Sequence, residues 1–74
     1  MSPLHLSIGE SATVTAINTQ EELRSRLNSL GLNRGSELTI ESTSLFKGTY
    51  CIRLNNSNVL AIRRDELAMI EVAI

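Results

Sequence analysis

Residues 19–35, TQEELRSRLNSLGLNRG, encode one helix together with both of its ends, and every other element has to be arranged around it. Thr19 and Glu22 have the spacing of a capping box, in which the Thr hydroxyl and the Glu carboxylate each satisfy a backbone N–H at the helix start. Leu23, Leu27 and Leu30 recur at helical spacing and predict a buried face, with Arg24, Ser25, Asn28 and Ser29 turned to water. Gly31 stands where a left-handed C-cap residue is wanted, and Leu32 just beyond it is placed to fold back on the last turn as in a Schellman ending. The helix is expected to stop at Leu30 or Gly31.

Past this point the hydrophobic period drops from 3.6 to 2. Between Ser36 and Ser42, Leu38 and Ile40 alternate with Glu37, Thr39 and Glu41, the pattern of a strand with one wet side. Tyr50, Ile52 and Leu54 alternate likewise with Thr49, Cys51 and Arg53. The NNSN stretch from Asn55 to Asn58 is a turn, since Asn accepts positive φ at low cost. Leu60 and Ile62 carry the inward face onward, Arg64, Asp65 and Glu66 suit one helical turn, and Ala68, Ile70 and Val72 make a last strand. Ahead of the helix, Ala12 to Ile17 (ATVTAI) is β-prone. Met1 to His5 reads as a loose tail or an edge extension. Five short strands laid flat would leave unpaired edges. The expected fold is therefore mainly β: a small five-stranded barrel over residues 1–74, with one α-helix inserted after the first strand and covering an end.

At 74 residues the chain has the length of one domain, near the lower limit for a self-sufficient core. Hydrophobic residues make up 42% and charged residues 20%, too apolar a mixture for disorder. No apolar run approaches the roughly 20 residues that span a bilayer, and the N-terminal pattern is not that of a signal peptide. A cytoplasmic protein with no direct membrane insertion is expected. The single cysteine, Cys51, has no internal disulfide partner, which fits a reducing compartment. The net charge is −1 and both signs are interspersed, so no basic footprint for nucleic acid or anionic lipid is present. Phe46 and Tyr50 are the only aromatic residues, too few for a base-stacking platform. A protein partner is the expected target.

His5, Cys51, Glu10, Asp65 and Glu66 carry the metal-binding chemistry of the chain, but no CxxC, HxxH or HxxxH pair joins them. One His and one Cys fall short of the three or four protein ligands of a transition-metal site, so neither a metal nor a cofactor is expected. No Ser/His/acid order and no Gly-rich phosphate loop occurs, and no enzyme is expected. The arginines Arg24, Arg26, Arg53, Arg63 and Arg64 have the chemistry of an arginine finger, but solvation or pairing with nearby Glu is the simpler reading. Leu45 and Phe46 are large and apolar in a connecting loop. Two readings stand open for them: a lid over one barrel end, or an exposed anchor for a partner. With Lys47 and Tyr50 they form the candidate partner-binding set.

Three stretches resemble the FeoA family of small ferrous iron transport proteins. LSIGESATVTAI is similar to the family's opening strand after a Leu-x-x-Gly-x-x turn, LRSRLNSLGLNRGSELTI to its helix, Leu-Gly-Leu turn and second strand, and LAIRRDELAMIEV to its closing strand pair. Together they cover most of the chain. The chain departs from the family at Arg34, where Pro is common before the Gly, and at SLFKGT (Ser44 to Thr49), where Ala-Pro-Leu-Gly-Asp-Pro is usual. The resemblance implies an SH3-like barrel and an accessory role in bacterial ferrous iron uptake. It also implies a partner, a FeoB-type membrane permease with a cytosolic GTPase domain. The same fold in the C-terminal domain of iron-dependent repressors implies an alternative, a stand-alone regulatory domain. A nucleic-acid-binding small barrel is a further alternative, weakened by the acidic balance.

Overall fold

A computed structural model describes all of residues 1–74. After a 3-10 turn at Pro3–His5 come β1 (Ser11–Ile17), α1 (Glu21–Ser29), β2 (Glu37–Thr43), β3 (Thr49–Leu54), β4 (Asn58–Arg63), α2 (Arg64–Leu67) and β5 (Ile70–Ala73). All strands pair antiparallel in one sheet of order β4-β3-β2-β1-β5. The period-2 pattern has its expected result. Ala12 and Val14, Leu38 and Ile40, Tyr50, Ile52 and Leu54, Ile62, Ile70 and Val72 all bury their side chains in one core, joined by Leu6, Leu27, Leu32 and Leu67.

A five-stranded mainly β fold with the helix after β1 is as expected; the closed barrel is not. β4 and β5 are the two edges of the sheet and do not pair with each other, because α2 carries the chain from one to the other. Curvature comes from two bulges. Between Val14 and Ala16 the β1–β5 register slips at Thr15, and between Ile40 and Ser42 the β2–β3 register slips at Glu41. Each extra residue bends its strand and strengthens the local twist, wrapping the sheet around the core.

The helix differs from expectation at its start. Its N-cap is Gln20, with no side-chain capping bond, so the Thr19–Glu22 capping box does not form. Asn18 is held by its N–H to the Met69 carbonyl (2.7 Å), and the chain enters the helix one residue later than the motif requires. Glu21 and Glu22 instead lie in the first turn, where negative charge suits the helix dipole. The C-terminal end is as expected: the Leu32 N–H donates to the Leu27 carbonyl (2.9 Å) and the Gly31 N–H to that of Asn28 (3.1 Å), with Gly31 at φ 97°. Of the predicted apolar face, Leu27 is buried and Leu23 half-buried, but Leu30 is 46% exposed.

Met1–His5 is an edge extension and not a loose tail. Met1 and Val72 exchange two main-chain hydrogen bonds of 2.8 Å, and Pro3 is buried. Ala68 caps α2 and does not open the last strand. In the β3–β4 turn Asn55 and Asn56 take φ of 53° and 58°, as expected of Asn there. Asn55 ties the turn to β2: its N–H donates to the Glu37 carbonyl, and its Oδ1 accepts from the Glu37 N–H, both at 2.9 Å.

Candidate functional site

The β2–β3 connection is a compact tip closed by its own polar groups. The Ser44 N–H donates to the Thr49 carbonyl (2.9 Å), the Thr49 N–H to Ser44 Oγ (3.1 Å) and the Lys47 N–H to the Ser44 carbonyl (2.9 Å). With the backbone satisfied locally, the tip has no need of its side chains for support. Leu45 is 89% exposed and Phe46 90%, which rules out the lid. Neither side chain covers the core, so they are not a lid. Lys47 sits beside them at φ 58°, also exposed.

Tyr50 does not belong with these three. It is 4% exposed, because the alternation of β3 turns it inward, and its hydroxyl accepts from Arg64 Nη1 at 3.2 Å. Its ring is core, closed to a docking partner. The bond brings Arg64 to the base of the tip, where its N–H also donates to the Gly48 carbonyl (2.9 Å). Arg63 pairs across from Thr49 on the same end of the molecule. An apolar tip is thus backed by Lys47, Arg63 and Arg64, none of which has an acidic partner. Two other arginines are neutralised: Arg26 pairs with Glu66 at 3.1 Å, and Arg53 Nε donates to Glu41 Oε1 at 2.8 Å.

The residues with metal-binding chemistry are dispersed. His5 lies in the 3-10 turn, Cys51 is half-buried on β3, the Glu10 carboxylate accepts the Ser7 N–H (2.6 Å), and Glu66 holds Arg26. No three His, Cys, Asp or Glu side chains come together where they could hold a metal ion. No helix is long and apolar enough to cross a membrane.

Among the grooves that flank α1, two have a substantial apolar wall. A cleft of about 780 Å³ lies between the start of α1 and α2, with Ile17, Leu23 and Met69 as its apolar wall and Arg24, Asp65 and Glu66 as its charged one. A second, of about 440 Å³, runs between α1 and β4 and is lined mainly by Leu27, Leu30, Leu60, Ile62, Arg26 and Arg63. Sequence reasoning missed both. The exposed Leu30 is the one local sign of the second, because each groove joins residues far apart in the chain.

The FeoA domain model matches residues 4–74. The solution structure of the FeoA protein from Chlorobium tepidum is similar at 31% identity, with a TM-score of 0.92 over all of this chain and 70% of that one. The FeoA-like protein from Clostridium acetobutylicum shares the fold at 23% identity (TM-score 0.85, all of this chain, 85% of that one). So does iron(II) transport protein A from Clostridium thermocellum at 23% identity (TM-score 0.91), although this chain spans only 45% of it. No curated protein matches. Matched over nearly its whole length and alike in fold to the Chlorobium protein from end to end, the chain belongs to the FeoA family.

Proposed function

We propose that this protein is a non-enzymatic accessory of bacterial ferrous iron uptake, acting on the cytoplasmic side by contact with a FeoB-type membrane permease. Membership of the FeoA family is the observation that carries this reading. The geometry supports contact over chemistry: the titratable side chains are scattered or paired, while two large apolar side chains project from a self-supporting tip. Leu45 and Phe46 are the anchor in this reading, and Lys47 is the cation beside it. Aromatic and aliphatic side chains that become desolvated on binding are the groups that dominate interface energies.

The test is the double substitution Leu45→Ser/Phe46→Ser, read by thermal melt and by capture of the permease's cytosolic domain. Side chains this exposed contribute little to folding, so the melting temperature should stay within a degree or two, while affinity falls roughly tenfold or more. An intact fold with undiminished capture would remove the anchor from this tip.

A further inference from the structure

The two edges of the sheet are treated differently. The outer side of β5 is met by Met1, which exchanges both main-chain hydrogen bonds with Val72. Beyond β4 there is no strand. The bond from the Arg64 N–H to the Gly48 carbonyl continues the β3–β4 register and so sets its parity. Asn58, Leu60 and Ile62 direct their main-chain groups at β3, and Val59, Ala61 and Arg63 direct theirs outward. No group of the protein meets the outward groups of Val59 and Ala61 or the Arg63 N–H, while the Arg63 carbonyl opens α2 as its N-cap. Edges of this kind are ordinarily blunted by a proline, a bulge or a covering element. The sequence NVLAIR has no proline, its pairing with β3 is unbroken, and only the terminal Arg63 guards it.

Beside this open row runs the 440 Å³ groove, with Leu27 and Leu30 of α1 on one side and Leu60 and Ile62 on the other. On the opposite face of the strand Val59 is 49% exposed. Unpaired amides in a row, next to an apolar groove, are what an extended peptide recognises when it adds to a sheet. The charge around the groove narrows the choice. Arg26 is matched by Glu66, and Arg63 is left without a counter-ion. A second copy of this chain would bring its own unpaired Arg63 to the same rim, whereas an acidic segment would complement it.

We propose that β4 and the α1–β4 groove receive an extended segment of the protein partner, added beside β4 as a sixth strand. One of its apolar side chains seats between Leu30 and Leu60, and an acidic one lies against Arg63. The proposal rests on the permease reading and identifies a second surface for it, continuous with the tip through Arg63 and Thr49.

The experiment uses the full chain and the detergent-solubilised permease, with binding and amide hydrogen exchange read together. Ala61→Pro removes only an outward-facing donor, a position where an edge strand tolerates proline. It should weaken binding roughly tenfold or more. Arg63→Glu should weaken binding and flatten its salt dependence. In the wild-type complex the Val59, Ala61 and Arg63 amides should become protected. The exchange data stand even if Ala61→Pro fails to fold. A wild-type chain that does not bind the permease overturns the reading and this proposal together. Binding that leaves those three amides unprotected, or that survives both substitutions, overturns the proposal alone. Protection that grows with protein concentration in the absence of the permease assigns the edge to a second copy and overturns it too.

Discussion

At Gly31 a backbone requirement and a packing requirement coincide. The left-handed φ of 97° closes both Schellman bonds, and a Cβ added there would stand 3.3 Å from Asn58 Nδ2, across the chain at the start of β4. A β-branched side chain meets the conformational penalty at once and presses on Asn58 as well. Gly31→Val should therefore destabilise the protein by about 1 kcal/mol or more, as a lower midpoint in a denaturant melt. Equal midpoints would mean that the helix end tolerates a side chain. This end of the helix was legible because a Schellman ending is written in a few consecutive residues. Its other end was not, since the Asn18–Met69 bond that displaces the capping box joins residues 51 apart, beyond the reach of any local motif.

Among the elements, α1 is the one held most lightly. Its hydrophobic face was legible in the spacing of Leu23, Leu27 and Leu30, but periodicity tells direction and not depth, and only Leu27 is fully buried, at 1% exposure. Leu27→Ala should cost about 2–5 kcal/mol, the usual loss for a leucine cut from a packed core. Leu30→Ala should stay within about 0.5 kcal/mol, as exposed substitutions do. Paired denaturant melts check the contrast, and comparable losses would show that the helix buries a wider face. The inward residues of β2 and β3 were legible for the opposite reason: a strand alternates strictly, so Tyr50 reads as core once β3 is placed. The bulges at Thr15 and Glu41 break that alternation through pairing with a neighbour, which no single strand encodes. At the β2–β3 tip, a lid and an anchor are spelled with the same residues. Their exposure removes the lid, and the anchor is the reading that the double substitution tests.

On the scale of the whole molecule, the strands could be counted from the sequence but their closure could not, because it depends on how α2 spans the gap between β4 and β5. The scatter of His5, Cys51 and the carboxylates over separate elements has a measurable consequence. Ferrous or zinc ions should leave the melting temperature unchanged in an anaerobic thermal scan, since only tight binding to the native state raises it. A rise of several degrees at low-micromolar metal would show that these groups converge on an ion after all. The pairing of Met1 with Val72 bears on the chain's topology. The two ends of the fold are neighbours: Met1 lies one strand spacing, about 5 Å, from Val72, which is two residues short of Ile74. A few residues of linker would join them into a ring without moving any element. Such a ring would leave the native contacts as they are and take entropy from the unfolded chain, about 4 kcal/mol for a loop of this length. The exposed β2–β3 tip would then be a natural place to cut new ends.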